Sequence, residues 1–340
     1  MFDVVFDRLK GFAFRVLRER GVILCLRRTQ MDNREMNQSY TDGAYQILLD
    51  DSVRNVAYET VIRKLVSGKR VVDIGTGASA LLAEMCVRAG AEKVYAIEEN
   101  SQSLKTAQRR IERSGMASDI ELVSGFSTEV ELAEPCDVLV HEIVGSVGSA
   151  EGMTLVVNDA KQRFLSPDAE FIPHACTTWI CPVEPLKLPL LDAAISGLGQ
   201  LLYSFQQADL YKVFNFPPAN VLGPAAEFET TVFCEDMPLT DCRDLELVIA
   251  RAGDLEGLVL FLEIHVDQQT VINSLYQRTN WSTPYVKLFS KPIAVVEGDV
   301  VHVTVQRELS TTQPKYELDV RICPKTSGVE VTRHFAWQGN

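Results

Sequence analysis

The sequence has 340 residues, of which 46% are hydrophobic and 23% charged, and its formal net charge is −13. This composition is typical of a globular protein and excludes disordered and low-complexity classes. The length exceeds the roughly 250–300 residues at which one hydrophobic core stops growing, so we expect two domains. The acidic balance disfavours direct binding of nucleic acid and favours a basic partner.

The first 35 residues are basic, unlike the rest of the chain, and we expect them to form an N-terminal extension. Phe2 to Arg34 is interpreted as an amphipathic helix or an extension packed on the domain. A targeting signal is the weaker alternative, because the apolar patch from Val22 to Leu26 is shorter than the about 7–15 residues of a signal-peptide core. No apolar run reaches the about 18 residues of a membrane span, so we expect no membrane association.

Cysteine usage indicates a reducing compartment. The eight cysteines are too few for a disulfide scaffold, and none lies in a CxxC pair. We therefore expect reduced, mostly buried thiols in a cytoplasmic protein, with the nucleus as a second possible location.

Between Tyr45 and about Pro173, predicted helices alternate with predicted strands. Helical spacing runs from Ile47 to Leu65 and stops at Gly68. Such alternation indicates βαβ units and a mostly parallel sheet. The further predicted strands are 70–75, 93–98, 120–123 and 137–142, and the further predicted helices are 80–89 and 101–114.

After Pro173 the helical signal fades and a period of two replaces it. Apolar and polar residues alternate at 301–306 and 315–322, as in an antiparallel sheet or barrel with one wet face. The segment from Gly253 to Gly257 is interpreted as the turn of a hairpin between its two apolar flanks. The apolar, partly helical stretch from Leu186 to Pro217 breaks this pattern and is predicted to be an inserted arm.

A glycine-rich turn follows the first strand of the alternating region. Gly75 and Gly77 allow a tight turn and close approach of the backbone to a ligand. Asp73 lies two residues before this turn, where a buried acid can brace it or meet a ligand amine. Glu98 ends the next strand, where a carboxylate can accept the ribose hydroxyls of a nucleotide. The GxGxxA pattern alone is weakly specific, and a packing turn is the alternative.

The acid beside the glycines helps to choose the nucleotide. NAD would place its pyrophosphate at the helix N-terminus, where Asp73 would repel it. S-adenosylmethionine instead brings an ammonium group, and its carboxylate needs a cation such as Arg54. A solvated helix arginine is the alternative for Arg54. An NAD-dependent oxidoreductase remains a rival hypothesis, although no convincing hydride-transfer constellation accompanies the turn.

Two glutamates flank a tight loop after the fourth strand. Glu142 follows the strand directly, and Gly145 and Gly148 lie between it and Glu151. Ligands of open α/β sheets bind at the carboxyl ends of the strands, so both carboxylates are expected to face one pocket. They repel unless a cation lies between them, and a planar, always charged guanidinium suits that place. Two unrelated loop acids are the alternative in a chain with 46 acidic residues.

These motifs together resemble the protein arginine methyltransferases, over most of residues 40–340. The local sequence around Arg54-Asn55 and Tyr58 most resembles that of the type III, monomethylating branch, called protein arginine methyltransferase 7. The present chain would be a single-module form of that branch. The other residues that carry the resemblance are Val71–Gly77, Glu98, the Glu142 and Glu151 pair, and Thr279-Asn280-Trp281.

The resemblance implies two domains and a homodimer. Residues 36–173 would form a Rossmann-like, S-adenosylmethionine-dependent methyltransferase domain, joined near Phe171-Ile-Pro173 to a β-barrel domain over 174–340. Residues 1–35 would remain as the extension, and a helical dimerisation arm near 186–217 would dock on a second copy. The implied substrates are basic proteins with Arg-Gly-Gly or Arg-x-Arg sequences, including histones, with no direct contact to nucleic acid.

The resemblance also implies roles at the cofactor site, with S-adenosylhomocysteine as the product and no metal. Arg54 would hold the methionine carboxylate, Glu98 would hold the ribose, and Glu129 would lie by the adenine. The turn itself would be lined by Asp73, Gly75 and Gly77.

At the substrate site, Glu142 and Glu151 would clamp the guanidinium as the catalytic pair, and Trp281 would close the pocket from the barrel side. The family commonly has a histidine at the position of Asn280, thought to pair with an acid such as Asp51. Asn280 cannot take a proton, so no such relay is expected, but it can hydrogen bond to the substrate or to Glu151.

The implied reaction is an SN2 transfer of a methyl group to a guanidinium nitrogen, giving only omega-N-monomethylarginine. A type I or type II dimethylating enzyme is the main alternative. A non-catalytic regulatory paralogue is less favoured, because such a chain should have lost Glu142, Glu151 or Arg54, and all three are present.

Overall fold

The computed structural model of the protein describes residues 51–186 and 209–339 in full, together with the backbone of strand β1 (Ile23–Leu26). Most of the predicted N-terminal extension, the start of the first predicted helix and residues 187–208 of the predicted arm therefore lie outside the described residues. No helix in the described part has the length and apolarity needed to cross a membrane.

The first half of the described chain forms a five-stranded parallel sheet with helices, in the order β4-β3-β2-β5-β6. Val71, Val72 and Ile74 are almost completely buried, as expected for a parallel strand that is covered on both faces. The predicted Rossmann-like domain is therefore confirmed. Its strands are β2 (Arg70–Ile74), β3 (Lys93–Glu98), β4 (Ile120–Ser124), β5 (Cys136–His141) and β6 (Leu165–Ile172), and its helices are α1 (Ser52–Leu65), α2 (Leu81–Arg88), α3 (Ser101–Ser114) and α4 (Met153–Arg163).

The strand order reverses between β2 and β5. The chain runs outward from β2 through β3 to β4, and then returns to place β5 on the other side of β2. In open α/β sheets, the carboxyl ends of the strands at such a reversal form a crevice that binds ligands. The residues that follow β2 and β5 are therefore the first to inspect for a functional site.

The second half forms a β-barrel domain of antiparallel sheets, as predicted. Strand β17 alternates strictly between exposed and buried residues, and its inner face packs in one core with Leu258, Leu260 and Val303. The largest sheet has the order β1-β8-β14-β12-β7-β9, with β13 added to β12, beside sheets of order β10-β16-β17-β18 and β11-β15. The strands are β7 (Ala175–Val183), β8 (Leu210–Phe214), β9 (Ala226–Val232), β10 (Thr240–Val248), β11 (Gly253–Leu255), β12 (Gly257–His265), β13 (Val271–Asn273), β14 (Thr283–Lys287), β15 (Ile293–Val295), β16 (Val300–Glu308), β17 (Lys315–Ile322) and β18 (Val331–Gln338), and Pro218–Asn220 is a 3₁₀ turn.

Two local predictions need correction. The hairpin about 253–257 is wrong, because β10 pairs with β16 whereas β12 pairs with β7 and β14, and residues 253–255 form strand β11. The end of the predicted arm is strand β8, in which Tyr211 and Val213 alternate with half-buried residues and enter the core. Of the two alternatives for the N-terminal extension, the described strand β1 agrees with an extension packed on the domain, because it pairs with β8.

The cysteines with described side chains are free thiols. Four of them are buried, Cys86, Cys136, Cys176 and Cys181, whereas Cys234, Cys242 and Cys323 are exposed. Burial raises the pKa of the Cys136 and Cys181 thiols to about 12, so these two groups stay protonated at neutral pH.

Candidate active site

Helix α1 brings an arginine to the carboxyl end of β5. Arg54 and Tyr58 are four residues apart and therefore share one helix face. A guanidinium nitrogen (Nη1) of Arg54 lies 3.1 Å from Glu142 Oε2, and the Tyr58 hydroxyl donates to the backbone carbonyl of His141 at 3.2 Å. The Asp51 side chain caps the helix by accepting the Arg54 backbone N–H at 3.0 Å. The sequence analysis predicted that Arg54 holds the carboxylate of the cofactor. In the structure, Arg54 pairs with Glu142, one of the two glutamates.

The glycine turn has the geometry that its sequence predicts. Gly75 and Gly77 both have positive φ, at 75° and 66°, which strongly favours glycine. The Gly77 N–H donates to Glu98 Oε2 at 2.9 Å, and the Asn100 N–H donates to Glu98 Oε1 at 2.7 Å. The Glu98 carboxylate therefore lies against the turn at the end of β3, held by backbone donors that include Gly77 and Asn100.

Asp73 is a buried carboxyl group that interacts with the Thr76 hydroxyl and the Ala83 backbone N–H, and both contacts lower its pKa against the larger effect of burial. It is fully buried, and the Thr76 hydroxyl donates to Oδ2 at 2.6 Å. Its Oδ1 has no hydrogen-bond partner among the described residues. Burial, with smaller contributions from the charges of Glu98 and Glu142, raises the pKa of Asp73 to about 7. A cationic ligand in the crevice would favour its ionised form.

The two glutamates of the loop after β5 influence each other electrostatically. Burial raises the pKa of Glu142, and the neighbouring Arg54 opposes that shift. Burial also raises the pKa of Glu151 to about 7; the Glu142 charge adds to this shift, and Lys212 on β8 opposes it. A site with carboxyl groups so disposed binds a cation more readily than an anion.

The barrel holds the loop between these glutamates from the opposite side. The Trp281 indole N–H donates to the Val144 carbonyl at 2.9 Å, and the Ser146 and Ser282 hydroxyls share a hydrogen bond at 2.7 Å. The sequence prediction did not include this anchoring. The small residues between the glutamates were its signal, because small side chains allow a loop to pack closely against a sheet.

Asn280 and Asp51 do meet, but through the backbone. The Asn280 backbone N–H donates to Asp51 Oδ2 at 2.8 Å, so this acid bridges the start of α1 and the loop before β14. The side-chain Oδ1 of Asn280 is buried and accepts no hydrogen bond in the part of the chain that the structure describes. The predicted bond from Asn280 to a substrate therefore stays a prediction, with an available acceptor.

Two other residues near the crevice, Glu129 and His141, differ in whether they are accessible to a ligand. Glu129 is exposed beyond the carboxyl end of β4, and its predicted position by the adenine stays a prediction. His141 is fully buried with its ring edge-on to Phe233, at 4.7 Å between centroids. Burial lowers the pKa of His141 to about 3, so it is neutral at physiological pH and unsuited to proton transfer there.

Within residues 51–186 and 209–339, no group of three or more Cys, His, Asp and Glu side chains is placed to hold a metal ion.

The known proteins to which this chain is similar are methyltransferases. The family model for the ribosomal protein L11 methyltransferase (PrmA) matches residues 56–171. An arginine N(omega)-methyltransferase of Streptomyces achromogenes subsp. streptozoticus is 28% identical over 75% of this chain and 73% of its own length. Mouse protein arginine N-methyltransferase 7 is 31% identical over 45% of this chain, and that match covers only 24% of the mouse protein.

The likeness to solved structures concerns the fold. The Trypanosoma brucei PRMT1 enzyme–prozyme heterotetrameric complex with AdoHcy includes a chain that superposes with a TM-score of 0.73 at 17% identity. The superposition covers 88% of this chain and 99% of that chain, so both the parallel-sheet domain and the barrel domain take part.

The buried Asp73 gives a test of the site's electrostatics. An acid whose pKa is raised on folding loses stability as pH rises from its unfolded pKa of about 3.8 to its folded pKa of about 7. Asp73→Asn should therefore raise the free energy of unfolding more at pH 8 than at pH 4, by about 4 kcal/mol at most. Urea denaturation of both proteins at both pH values measures this difference. The exposed Asp254→Asn is the control, and an equal effect of Asp73→Asn at both pH values would contradict the assignment.

Proposed function

We propose that the chain belongs to the protein arginine methyltransferase family and that it transfers a methyl group from S-adenosylmethionine to the guanidinium of arginine. The observation that carries this proposal is the pair Glu142 and Glu151 on one loop, beside Arg54 and the glycine turn. The alternatives weighed from the sequence are weaker, since the crevice is acidic where NAD has a pyrophosphate, and His141 is neutral and sealed off.

The residues present fit S-adenosylmethionine on three points of chemistry. Asp73 has an unpartnered buried oxygen that suits an ammonium group. Arg54 is a planar cation of the kind that pairs with carboxylates, and a cofactor carboxylate would share or replace its present partners Glu142 and Asn55. Glu98 has acceptors next to a glycine turn that permits close backbone approach. When bound, the cofactor supplies a methyl group on a positively charged sulfur.

The glutamates would make the guanidinium nucleophilic by placement. A protonated guanidinium has no basic lone pair, because its pKa is above about 12. Hydrogen bonds to Glu142 and Glu151 would concentrate the positive charge away from the attacking nitrogen and point its lone pair at the methyl group. S-adenosylmethionine would supply the methyl group to the nitrogen and leave as S-adenosylhomocysteine, and Glu142, Glu151 or water would accept the proton that the methylated nitrogen releases. Orientation and electrostatic stabilisation supply most of the rate enhancement.

We infer that the substrates are basic proteins and that the product is omega-N-monomethylarginine. The net charge of −13 would attract segments rich in arginine, such as Arg-Gly-Gly repeats or histone tails. Two observations support the type III assignment. One is the sequence of α1 at Arg54-Asn55 and Tyr58, and the other is the similarity to mouse protein arginine N-methyltransferase 7. Free arginine is a second candidate substrate, because the bacterial relative with the broad coverage is named for arginine alone.

We also propose a homodimer in the cytoplasm, with the nucleus as a second location. The dimerisation arm of the proposal falls mainly on residues 187–208, outside the described residues. The name of the heterotetrameric structural neighbour supports assembly of this fold into oligomers.

Replacing either glutamate should separate chemistry from cofactor binding. Glu142→Gln and Glu151→Gln each keep the shape of the side chain but remove its charge, so kcat should fall about 100- to 1,000-fold. Calorimetric binding of S-adenosylhomocysteine should stay within about threefold of wild type for Glu151→Gln. Glu131→Gln, an exposed acid, serves as the control. Near-normal turnover by both site variants would contradict the guanidinium clamp.

The pH dependence should report the ionisation of Glu151. This carboxyl group is neutral below its pKa of about 7 and then presents no charge to a guanidinium. At saturating cofactor, kcat/KM for an arginine peptide should rise about tenfold per pH unit below pH 7 and become level above it. Initial rates between pH 5.5 and 9 measure the profile, and a flat profile across pH 6–8 would count against the assignment.

Product analysis tests the substrate and the type together. Purified protein is incubated with labelled S-adenosylmethionine and either an Arg-Gly-rich peptide or free arginine, and mass spectrometry follows the products. We expect monomethylarginine in the peptide as the end product, even after long incubation. Dimethylarginine would overturn the type III assignment, methylation of free arginine alone would overturn the protein substrate, and labelling of neither would overturn the proposed function.

A further inference from the structure

The half of the loop that leads to Glu151 is held to the barrel by a separate set of buried polar contacts. The Gly148 backbone N–H donates to the Thr178 hydroxyl on β7 at 2.9 Å. The Ser149 backbone N–H and hydroxyl donate to the two oxygens of Glu229 on β9, at 3.0 and 2.7 Å. These contacts lie two and three residues before Glu151, so they fix the backbone from which its side chain projects.

Glu229 is the centre of this set and is itself fully engaged. Its side chain is 1% exposed, and its carboxylate also accepts the Thr178 hydroxyl at 2.9 Å and Nη1 of Arg307 at 2.5 Å. The second arm of Arg307 reaches Asp241 on β10. A buried carboxylate needs such a cation and such donors, because an unpaired charge in this position would be costly. The loop is therefore attached to a charge-paired element of the barrel.

Gly148 shows how closely the loop and the barrel approach. A Cβ atom at this position would lie 3.1 Å from Glu229 Oε1, 3.2 Å from Cys176 Sγ and 3.3 Å from Thr178 Oγ1. Each of these distances is tighter than ordinary van der Waals contact, so a side chain at position 148 would push these neighbours away by a few tenths of an ångström. The approach leaves little freedom for the loop to shift while these bonds persist.

We propose that Thr178, Glu229 and Arg307 are positioning residues that set the place of the Glu151 carboxylate from the barrel side. This inference rests on the role proposed above for Glu151. The Glu142 end of the loop has its own anchors at Val144 and Ser146, so loss of the Thr178 contacts displaces Glu151 while leaving Glu142 and the cofactor crevice in place. A displacement of about 1 Å at a catalytic group can lower a rate about 100-fold.

The test uses two neighbouring threonines on β7. Thr178→Val keeps the volume but removes the acceptor for Gly148 and a donor to Glu229, whereas Thr178→Ser restores the hydroxyl. Thr177→Val is the matched control, because the Thr177 hydroxyl instead pairs with Thr230 across the sheet at 3.0 Å. We expect kcat for arginine methylation to fall at least about tenfold in Thr178→Val, with S-adenosylhomocysteine affinity within about twofold of wild type. Thr178→Ser should recover most of kcat, and Thr177→Val should retain it.

Hydrogen–deuterium exchange supplies a readout that does not depend on activity. In Thr178→Val, amides of a peptide spanning residues 143–152 should exchange faster than in wild type, and in Thr177→Val they should not. Faster exchange with unchanged kcat would overturn the positioning role while leaving the proposed function standing. Unchanged exchange would overturn the anchoring itself. An inactive wild-type protein would instead reject the proposed function, so the two failures are distinguishable.

Discussion

The concentration of carboxyl groups at one edge of a parallel sheet governs the rest of the structure. Asp73 and Glu142 lie at the carboxyl ends of the two strands at the reversal of strand order, Glu98 ends the neighbouring strand β3, and Glu151 follows on the loop after β5. Burial makes each of these charges costly, so the fold must supply compensation. It does so with backbone donors at Glu98, a guanidinium at Glu142 and an elevated pKa at Asp73 and Glu151.

The protein's own donors and cations do not fully offset the cost of burying these carboxylates, and two cationic ligands could supply the remainder. Glu98 is satisfied by two N–H groups, whereas Asp73 keeps an oxygen without a partner among the residues described. The pKa values of Asp73 and Glu151 lie near neutrality, so each carboxyl group gains most from a cation that arrives at physiological pH. An ammonium and a guanidinium are such cations. A cation that binds beside such a carboxyl group favours its ionised form, so binding of the cation and loss of the proton reinforce each other.

Local patterns predicted the parallel-sheet domain well and pairing in the barrel poorly. The strand at 93–98 ends with Glu98 as expected, because continuous apolar runs and glycine ends are local signals. The supposed hairpin at 253–257 failed because two strands adjacent in sequence belong to different sheets, which depends on distant partners such as β7 and β16. Strand β1 was missed for the same reason, since its partner β8 is far along the chain.

In the candidate site too, the features that depend on local sequence could be predicted, and those that depend on residues distant in sequence could not. The residue types at Asp73, Glu142 and Glu151 could be selected from spacing. The small residues of the loop indicate close packing, but they do not identify the barrel residues that hold it, because Thr178 and Glu229 are remote in sequence and belong to no motif. Asn280 illustrates the limit further. Sequence comparison drew attention to its side chain, whereas its backbone makes the bond to Asp51. A side chain can change at such a position while the backbone contact persists, so the link between helix α1 and the barrel does not depend on which side chain residue 280 carries.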